Sequence, residues 1–277
     1  MPESRATAKF PFAADLLEGQ TALVTGGGSG LGRVIAEALA RAGADVLIAA
    51  RRLERCEAAA KEIASATGRR VEAAFVNIRE RDAVEALELH ARERFGRIDI
   101  LINNAGGQFP QPARDFKPKG WQAVIDTNLT GTWNMTQVFG NRMLDGAGGV
   151  ITNVIAVVGR GFPGIAHTAA ARAGVLELTR TLAYEWGPKV RLNCVAPGAV
   201  ATEAFQSTYD PNIAEVFEGI PLARYGTREE IANGVLFISS PAASYVTGEV
   251  LFVAGGQQNY GRNQALFDHQ LGKSQGS

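Results

Sequence analysis

At 277 residues, the chain is long enough to bury one substantial core and short for two. Lys plus Arg and Asp plus Glu both number 28, so the formal net charge is zero, which argues against nucleic acid or an anionic membrane as partner. A composition 46% hydrophobic and 20% charged excludes the disordered and collagen-like classes.

The predicted elements alternate strand and helix. Residues 21–25 are an apolar, β-rich run, and residues 30–42 place Leu31, Val34, Ile35, Ala38, Leu39 and Ala42 at helical spacing. Residues 46–49 read as a second strand, 53–66 as a helix rich in Ala and Glu, and 71–76 as a third strand. A helix over 82–95 stops at Gly96, and 98–102 is a fourth, continuously apolar strand. Residues 121–144 predict one long helix, 150–154 a fifth strand, and 169–186 a helix ended by Gly187-Pro188. Strands over 190–195 and 250–253 flank a weakly periodic segment, 197–225, and a helix, 228–239. Residues 1–16 read as an N-terminal extension and 257–277 as a C-terminal tail around one domain. Continuously apolar strands separated by helices predict an α/β protein: a single Rossmann-type, doubly wound domain with a parallel sheet covered on both faces. Ligands of such sheets sit at the carboxyl ends of the strands, so function is expected after Thr25, Ala49, Val76, Ile102, Val154 and Val195.

Residues 1–18 lack the apolar stretch of a secretion signal. No apolar run approaches the roughly 20 residues that span a bilayer, and the last five residues form no peroxisomal address. Cys56 and Cys194 have no partner at metal-ligand spacing and read as reduced thiols. The expectation is a soluble, cytoplasmic protein without a bound metal.

The turn Thr25-Gly26-Gly27-Gly28-Ser29-Gly30-Leu31-Gly32 joins the first strand to the first helix, with Gly26, Gly30 and Gly32 in the pattern G-x-x-x-G-x-G. Glycine lets a pyrophosphate approach the backbone, the helix start offers unpaired N–H groups, and Ser29 adds a hydroxyl. NAD-binding versions of this turn carry an acid at the end of the second strand for the ribose 2′-OH. That stretch here is Leu47-Ile48-Ala49-Ala50-Arg51-Arg52, and Asp45 lies at the wrong end. Two arginines at a helix start are unfavourable by themselves and suit a 2′-phosphate. The cofactor expected is therefore NADP(H).

These residues, together with Asn103-Asn104-Ala105-Gly106, Asn128 and Pro197-Gly198, resemble the short-chain dehydrogenase/reductase family over residues 17–256. The resemblance implies seven parallel strands, a nicotinamide cofactor and a homotetramer. It also implies that Asn77 and Ile78 flank the adenine, that Asn104, Ala105 and Gly106 back the cofactor, and that Val200 and Thr202 meet its nicotinamide and phosphate end. The family's usual catalysts are Ser, Tyr-x-x-x-Lys and Asn. Here the Ser position falls on Ala156, and the Tyr and Lys positions fall on Thr168 and Arg172; Asn128 alone is kept. The segments Gly106-Gly107-Gln108-Phe109, Lys119-Gly120-Trp121, Gly161-Phe162-Pro163 and His167 through Val175 are similar to the trans-2-enoyl-CoA reductase branch, including the unusual Arg172. The related 2,4-dienoyl-CoA reductases share the loss of Tyr-x-x-x-Lys. The tyrosine that the enoyl branch carries after Ala-Gly-Val is Leu176 here, and the dienoyl donor position falls near Val157.

The implied reaction is reduction of a C=C bond conjugated to an acyl thioester. Arg172 is expected at the nicotinamide ribose and, indirectly, the oxyanion, and Thr168 as donor to the thioester oxygen. Asn128 would hold a water or order the backbone, and His167 would relay a proton. Tyr209 and Tyr225 are further candidates for a phenol, whereas Trp121 and Trp133 read as packing residues. Two other readings stand: a carbonyl reductase or alcohol dehydrogenase with displaced acid chemistry, and a catalytically silent NADP(H)-binding member.

Overall fold

The computed structural model describes residues 10–157, 164–200 and 220–259. In chain order the elements are β1 (Thr21–Thr25), α1 (Gly30–Arg41), β2 (Asp45–Ala50), α2 (Leu53–Thr67), β3 (Val71–Phe75), α3 (Arg81–Phe95) and β4 (Ile100–Asn103). They continue with α4 (Pro118–Ile125), α5 (Gly131–Asp145), β5 (Gly149–Val154), α6 (Ala166–Trp186), β6 (Val190–Pro197), α7 (Arg228–Ser239) and β7 (Val250–Val253). All seven strands pair parallel in one sheet, in the order β3-β2-β1-β4-β5-β6-β7.

The period of two along each strand sorts side chains between two helix layers. Ala22, Val24, Ile100 and Ile102 face a core built with α1, α2 and α7, where Ile35, Leu39, Ile63, Val235 and Leu236 are buried. Leu23, Leu101 and Ile151 face the opposite core, filled from α3, α5 and α6 by Leu87, Met135, Phe139 and Trp186. Both faces being covered explains why β1, β2 and β4 carry no polar alternation. The chain winds outward from β1 through β2 to β3, then returns to place β4 on the other side of β1. The switch point is therefore between β1 and β4, where a parallel sheet opens a crevice for ligands.

Three expectations need correction. The single helix over 121–144 begins earlier, at Pro118, and is interrupted by a π-helical turn, Asp126–Thr130. Such bulges are imposed by tertiary contacts; here the amide of Asn128 is clamped to Gly107. The fourth strand begins at Ile100 rather than 98, with Asp99 just outside it and its carboxylate accepting the Thr21 N–H at 2.8 Å. The helix expected over 169–186 begins at Ala166. Its first turn is capped by the His167 ring, a signal that no Ser, Thr, Asp or Asn advertises. By contrast α7 matches its sequence reading, because Thr227 and Glu230 form a reciprocal capping box at 3.1 and 2.9 Å.

Among the described residues, no helix is long and apolar enough to cross a membrane, and no group of His, Cys, Asp or Glu stands ready to hold a metal. Cys56 and Cys194 are both free and buried.

Candidate active site

The β1–α1 turn and the β4 carboxyl end are built as one unit. Thr25 Oγ1 donates to the Ile102 carbonyl and accepts the N–H groups of Asn104 and Ala105, both at 3.0 Å. The Asn104 amide returns to the Thr25 carbonyl at 2.9 Å. Gly26 turns the chain at φ 70°. A Cβ on Gly32 would stand 2.3 Å from the Gly26 carbonyl oxygen and 2.5 Å from Asn104 Nδ2. Only glycine lets the start of α1 press this closely on the turn. Gly32→Ala is therefore expected to weaken nucleotide binding at least tenfold and to lower the melting temperature, checked by fluorescence titration and thermal unfolding.

Beyond this turn opens a cleft of about 660 Å³. Of the residues expected at the dinucleotide, Gly26, Ser29, Leu31, Gly32, Arg51, Arg52, Asn77, Ile78, Asn104, Ala105 and Gly106 all line it. Ser29 is the N-cap of α1 and its side chain makes no cap hydrogen bond. Gly30 opens α1 but does not line the cleft. Pro197, Gly198 and Val200 also lie apart from it, at the β6 end of the same carboxyl edge. The Gly198 N–H bonds the Val253 carbonyl, and Val200 is buried. Thr202 and Tyr209 lie outside the described residues. Tyr225 is half-buried, just before α7.

Sequence reasoning missed Gly28, Arg55, Cys56, Arg79 and Thr127, which also line the cleft. The signal for Arg55 was present, since it follows Arg52 by three residues and so shares its helix face. Many arginines of this protein pair with carboxylates: Arg33 with Glu62, Arg69 with Asp45, Arg94 with Glu72. Arg51, Arg52 and Arg55 are exposed and have no carboxylate partner among the described residues; Arg79 reaches only Asn77 Oδ1 at 3.4 Å. The Asp45 carboxylate is engaged by Arg69, far from this edge. Four guanidinium groups without carboxylates around one cleft, beside the open start of α1 and the N-terminus of α2, suit a ligand carrying several phosphate charges.

At the inner end, Gly106 covers Arg172. A Cβ on Gly106 would lie 2.3 Å from Arg172 Nη2 and 2.9 Å from Asn128 Oδ1. Arg172 is 8% exposed and has no hydrogen bond or carboxylate partner among the described residues. Burial pushes its pKa down to about 10, opposed weakly by Cys194, so it stays charged at neutral pH. It is therefore a buried cation with no anion among the described residues, an arrangement that is costly without a partner. Asn128 is also buried. Its Oδ1 accepts the Gly107 N–H at 3.0 Å and its Nδ2 donates to the Gly107 carbonyl at 2.9 Å. These two bonds order the backbone over Arg172 and leave one N–H and one lone pair of the amide open.

Thr168 and Arg172 stand one turn apart on α6, hence on one face. Thr168 lies within the first turn and is not the N-cap, a place taken by Ile165. His167 is fully buried between the Phe109 and Phe116 rings, at centroid distances of 4.7 and 4.4 Å. Trp133 packs against the core, but Trp121 is 39% exposed, unlike the packing residue expected.

Beneath the site lies a buried polar chain that sequence reading did not find. Asn103 Nδ2 donates to Thr136 Oγ1 and Asn153 Oδ1, and Asn153 Nδ2 donates to Thr179 Oγ1, each at 2.9 Å. Cys194 Sγ donates to the same Thr179 hydroxyl at 3.3 Å, and burial pushes that thiol up to about 11. This chain fastens β4, β5 and β6 to α5 and α6, fixing the strand ends that carry the site.

A parallel doubly wound sheet with an open phosphate turn at its switch point defines a dinucleotide-binding oxidoreductase. The family described as Enoyl-(Acyl carrier protein) reductase matches residues 26–258, and the chain belongs to the short-chain dehydrogenase/reductase family. It is 42% identical, over 88% of its length and 83% of the relative's, to the peroxisomal 2,4-dienoyl-CoA reductase [(3E)-enoyl-CoA-producing] of Danio rerio. Among solved structures, it superposes on the citronellol catabolism dehydrogenase (AtuB) of Pseudomonas aeruginosa PAO1 with a TM-score of 0.81 and 38% identity, covering 90% of this chain and 99% of that one. A gluconate 5-dehydrogenase from Burkholderia cenocepacia J2315, in complex with NADP and tartrate, gives a TM-score of 0.85 at 32% identity, covering 90% and 99%.

Proposed function

We propose that the protein reduces the C=C bond of a 2-enoyl- or 2,4-dienoyl-CoA thioester with NADPH. The observation that carries this reading is the buried guanidinium of Arg172, without an anion among the described residues, one helical turn from Thr168, where a tyrosine and a lysine would serve carbonyl reduction. The dienoyl-CoA reductase relatives support the same substrate class.

The residues fit the cofactor. At Gly26 and Gly32 a Cβ would collide with the turn and Asn104, so these glycines let the start of α1 press on the turn and turn its open N–H groups toward a diphosphate, and Arg51, Arg52, Arg55 and Arg79 have no carboxylate partner among the described residues. NADPH, when bound, supplies the hydride. Arg172, beneath Gly106, holds the nicotinamide ribose and places positive charge where the thioester oxygen gains negative charge. Thr168 donates a hydrogen bond to that oxygen; a donor of this kind contributes about 3–4 kcal/mol. A threonine hydroxyl is too weak an acid to protonate the enolate carbon, and a positioned acid is worth about 10²–10⁴-fold, so water suffices at reduced rate. Asn128 fixes Gly107 and with it the lid of Arg172.

The test follows nicotinamide absorbance with NADPH and crotonyl-CoA, a 2,4-dienoyl-CoA, or simple ketones. Oxidation with a conjugated thioester is expected. Oxidation with ketones alone would make the protein a carbonyl reductase, and binding without turnover a silent member. Thr168→Val should lower turnover at least tenfold while leaving the NADPH Kd within about twofold.

A further inference from the structure

The sequence suggested His167 as a proton relay, and its surroundings oppose that. The imidazole is 0% exposed. It packs with Phe109, T-shaped at 79°, and Phe116, tilted at 59°, two rings that also pack on each other with centroids 5.7 Å apart. Its Nδ1 accepts the backbone N–H of Thr168 at 2.7 Å, while the Thr168 hydroxyl lies farther away, at 3.3 Å. A ring nitrogen that accepts an N–H carries no proton, so the neutral ring bears its hydrogen on Nε2. Nε2 itself is buried and has no hydrogen-bond partner among the described residues.

The partners of this ring belong to two segments that meet only here and nearby. Phe109 and Phe116 come from the stretch between β4 and α4; Thr168 opens α6. The same stretch is tied again by the Gly107–Asn128 pair and by the Gln111 N–H to the Gly164 carbonyl at 2.8 Å. A neutral ring accepts one hydrogen at Nδ1, and the Thr168 N–H takes that place. The Thr168 hydroxyl hydrogen is then left for another acceptor.

We propose that His167 is a positioning residue: its neutral, Nε2-protonated ring pins the β4–α4 segment to the first turn of α6 and leaves the Thr168 hydroxyl free to donate to the substrate oxygen. This deepens, and rests on, the reading of Thr168 as the thioester donor. Protonating the ring would set an Nδ1–H against the Thr168 N–H, two donors 2.7 Å apart, and turn the hydroxyl into an acceptor. Burial lowers the pKa from its ordinary value, against weaker opposing effects of the Ile165 and Phe109 backbone. Among the described residues the ring meets Phe109, Phe116, Thr168 and that backbone, and no charged side chain among them contributes to its ionisation. For a base with a lowered folded pKa, the unfolded chain binds the extra proton. The pin is thus intact above about pH 6.5 and lost as the pH falls through the lowered value.

The test has two independent readouts. ¹⁵N NMR of the ligand-free protein, with His167→Asn to assign the signal among three histidines, should show the Nε2–H tautomer titrating below about pH 6.5. A ring protonated at Nδ1, or titrating above that pH, overturns the inference and leaves the thioester reading standing. In steady-state kinetics with NADPH and crotonyl-CoA, His167→Phe keeps the ring contacts and removes the acceptor, so kcat should fall about tenfold with the NADPH KM within about twofold. His167→Asn restores an acceptor near the Nδ1 position. It should hold kcat within about threefold and lose the acid limb of the pH profile that the wild type shows below about pH 6.5. An acid limb unchanged in His167→Asn, or a wild-type kcat in His167→Phe, overturns the inference. If the wild type reduces no thioester, the functional reading falls, and the tautomer together with the pH dependence of melting in His167→Asn still decides the pin.

Discussion

Replacing Arg172 with methionine is expected to lower turnover on a conjugated thioester by about 10²- to 10³-fold, the range that follows loss of a donor aimed at a developing oxyanion. The fold should not suffer in proportion. Methionine matches much of the volume and carries no charge, and the wild-type guanidinium is buried with no counter-anion among the described residues, its pKa depressed to about 10 by that burial. Buried ions of this kind are often replaced by apolar side chains without loss of stability. A melting temperature equal to or above that of the wild type, combined with a collapsed kcat, would mark Arg172 as functional. Unchanged kinetics would remove it from the site. Arg172→Lys should recover part of the rate, because an ammonium carries the charge but not the planar fork. Gly106→Ala makes the same point from the other side, since its Cβ would lie 2.3 Å from Nη2 and must displace the guanidinium.

The second large effect concerns the cofactor. Arg51→Asp with Arg52→Ala should weaken NADPH about 100-fold and NADH by less than about threefold. Each charge-assisted hydrogen bond to a phosphate contributes about 1.5–3 kcal/mol, so removing two amounts to roughly two to four powers of ten in Kd, and the lower figure applies to exposed guanidinium groups screened by solvent. The new carboxylate at position 51 would also repel a 2′-phosphate and accept from a free 2′-hydroxyl. Arg55 and Arg79 line the same cleft, so a residual preference for NADPH should persist and then disappear when Arg55→Ala is added. Kd values for both nucleotides at one fixed ionic strength decide the matter, because exposed guanidinium groups are screened by salt. A preference unaltered in the double variant would mean that the arginines are solvated surface charge.

Much of this protein was legible along the chain. Buried parallel strands are largely apolar, so β1 and β2 announced themselves, and the helical run over 228–239 was found with its observed bounds. The glycine turn and Arg51-Arg52 stood at strand ends, the one place where such a sheet binds ligands, so local sequence and global position agreed. Arg55 could have been read from helical spacing after Arg52, but Arg79 is separated from those residues by a helix and a strand, and only folding brings it to the same cleft. The π-helical turn, the commitment of Asn128 to Gly107, and the burial of His167 between Phe109 and Phe116 have no one-dimensional signature. Each depends on residues distant in the chain meeting across the sheet edge. The order of residues was enough for the fold class, the phosphate turn and the substitutions Ala156, Thr168 and Arg172. That Arg172 is a cation without an anion, and that His167 is sealed rather than poised, emerged with the packing, because burial and partnership are properties of what surrounds a residue, not of the residue itself.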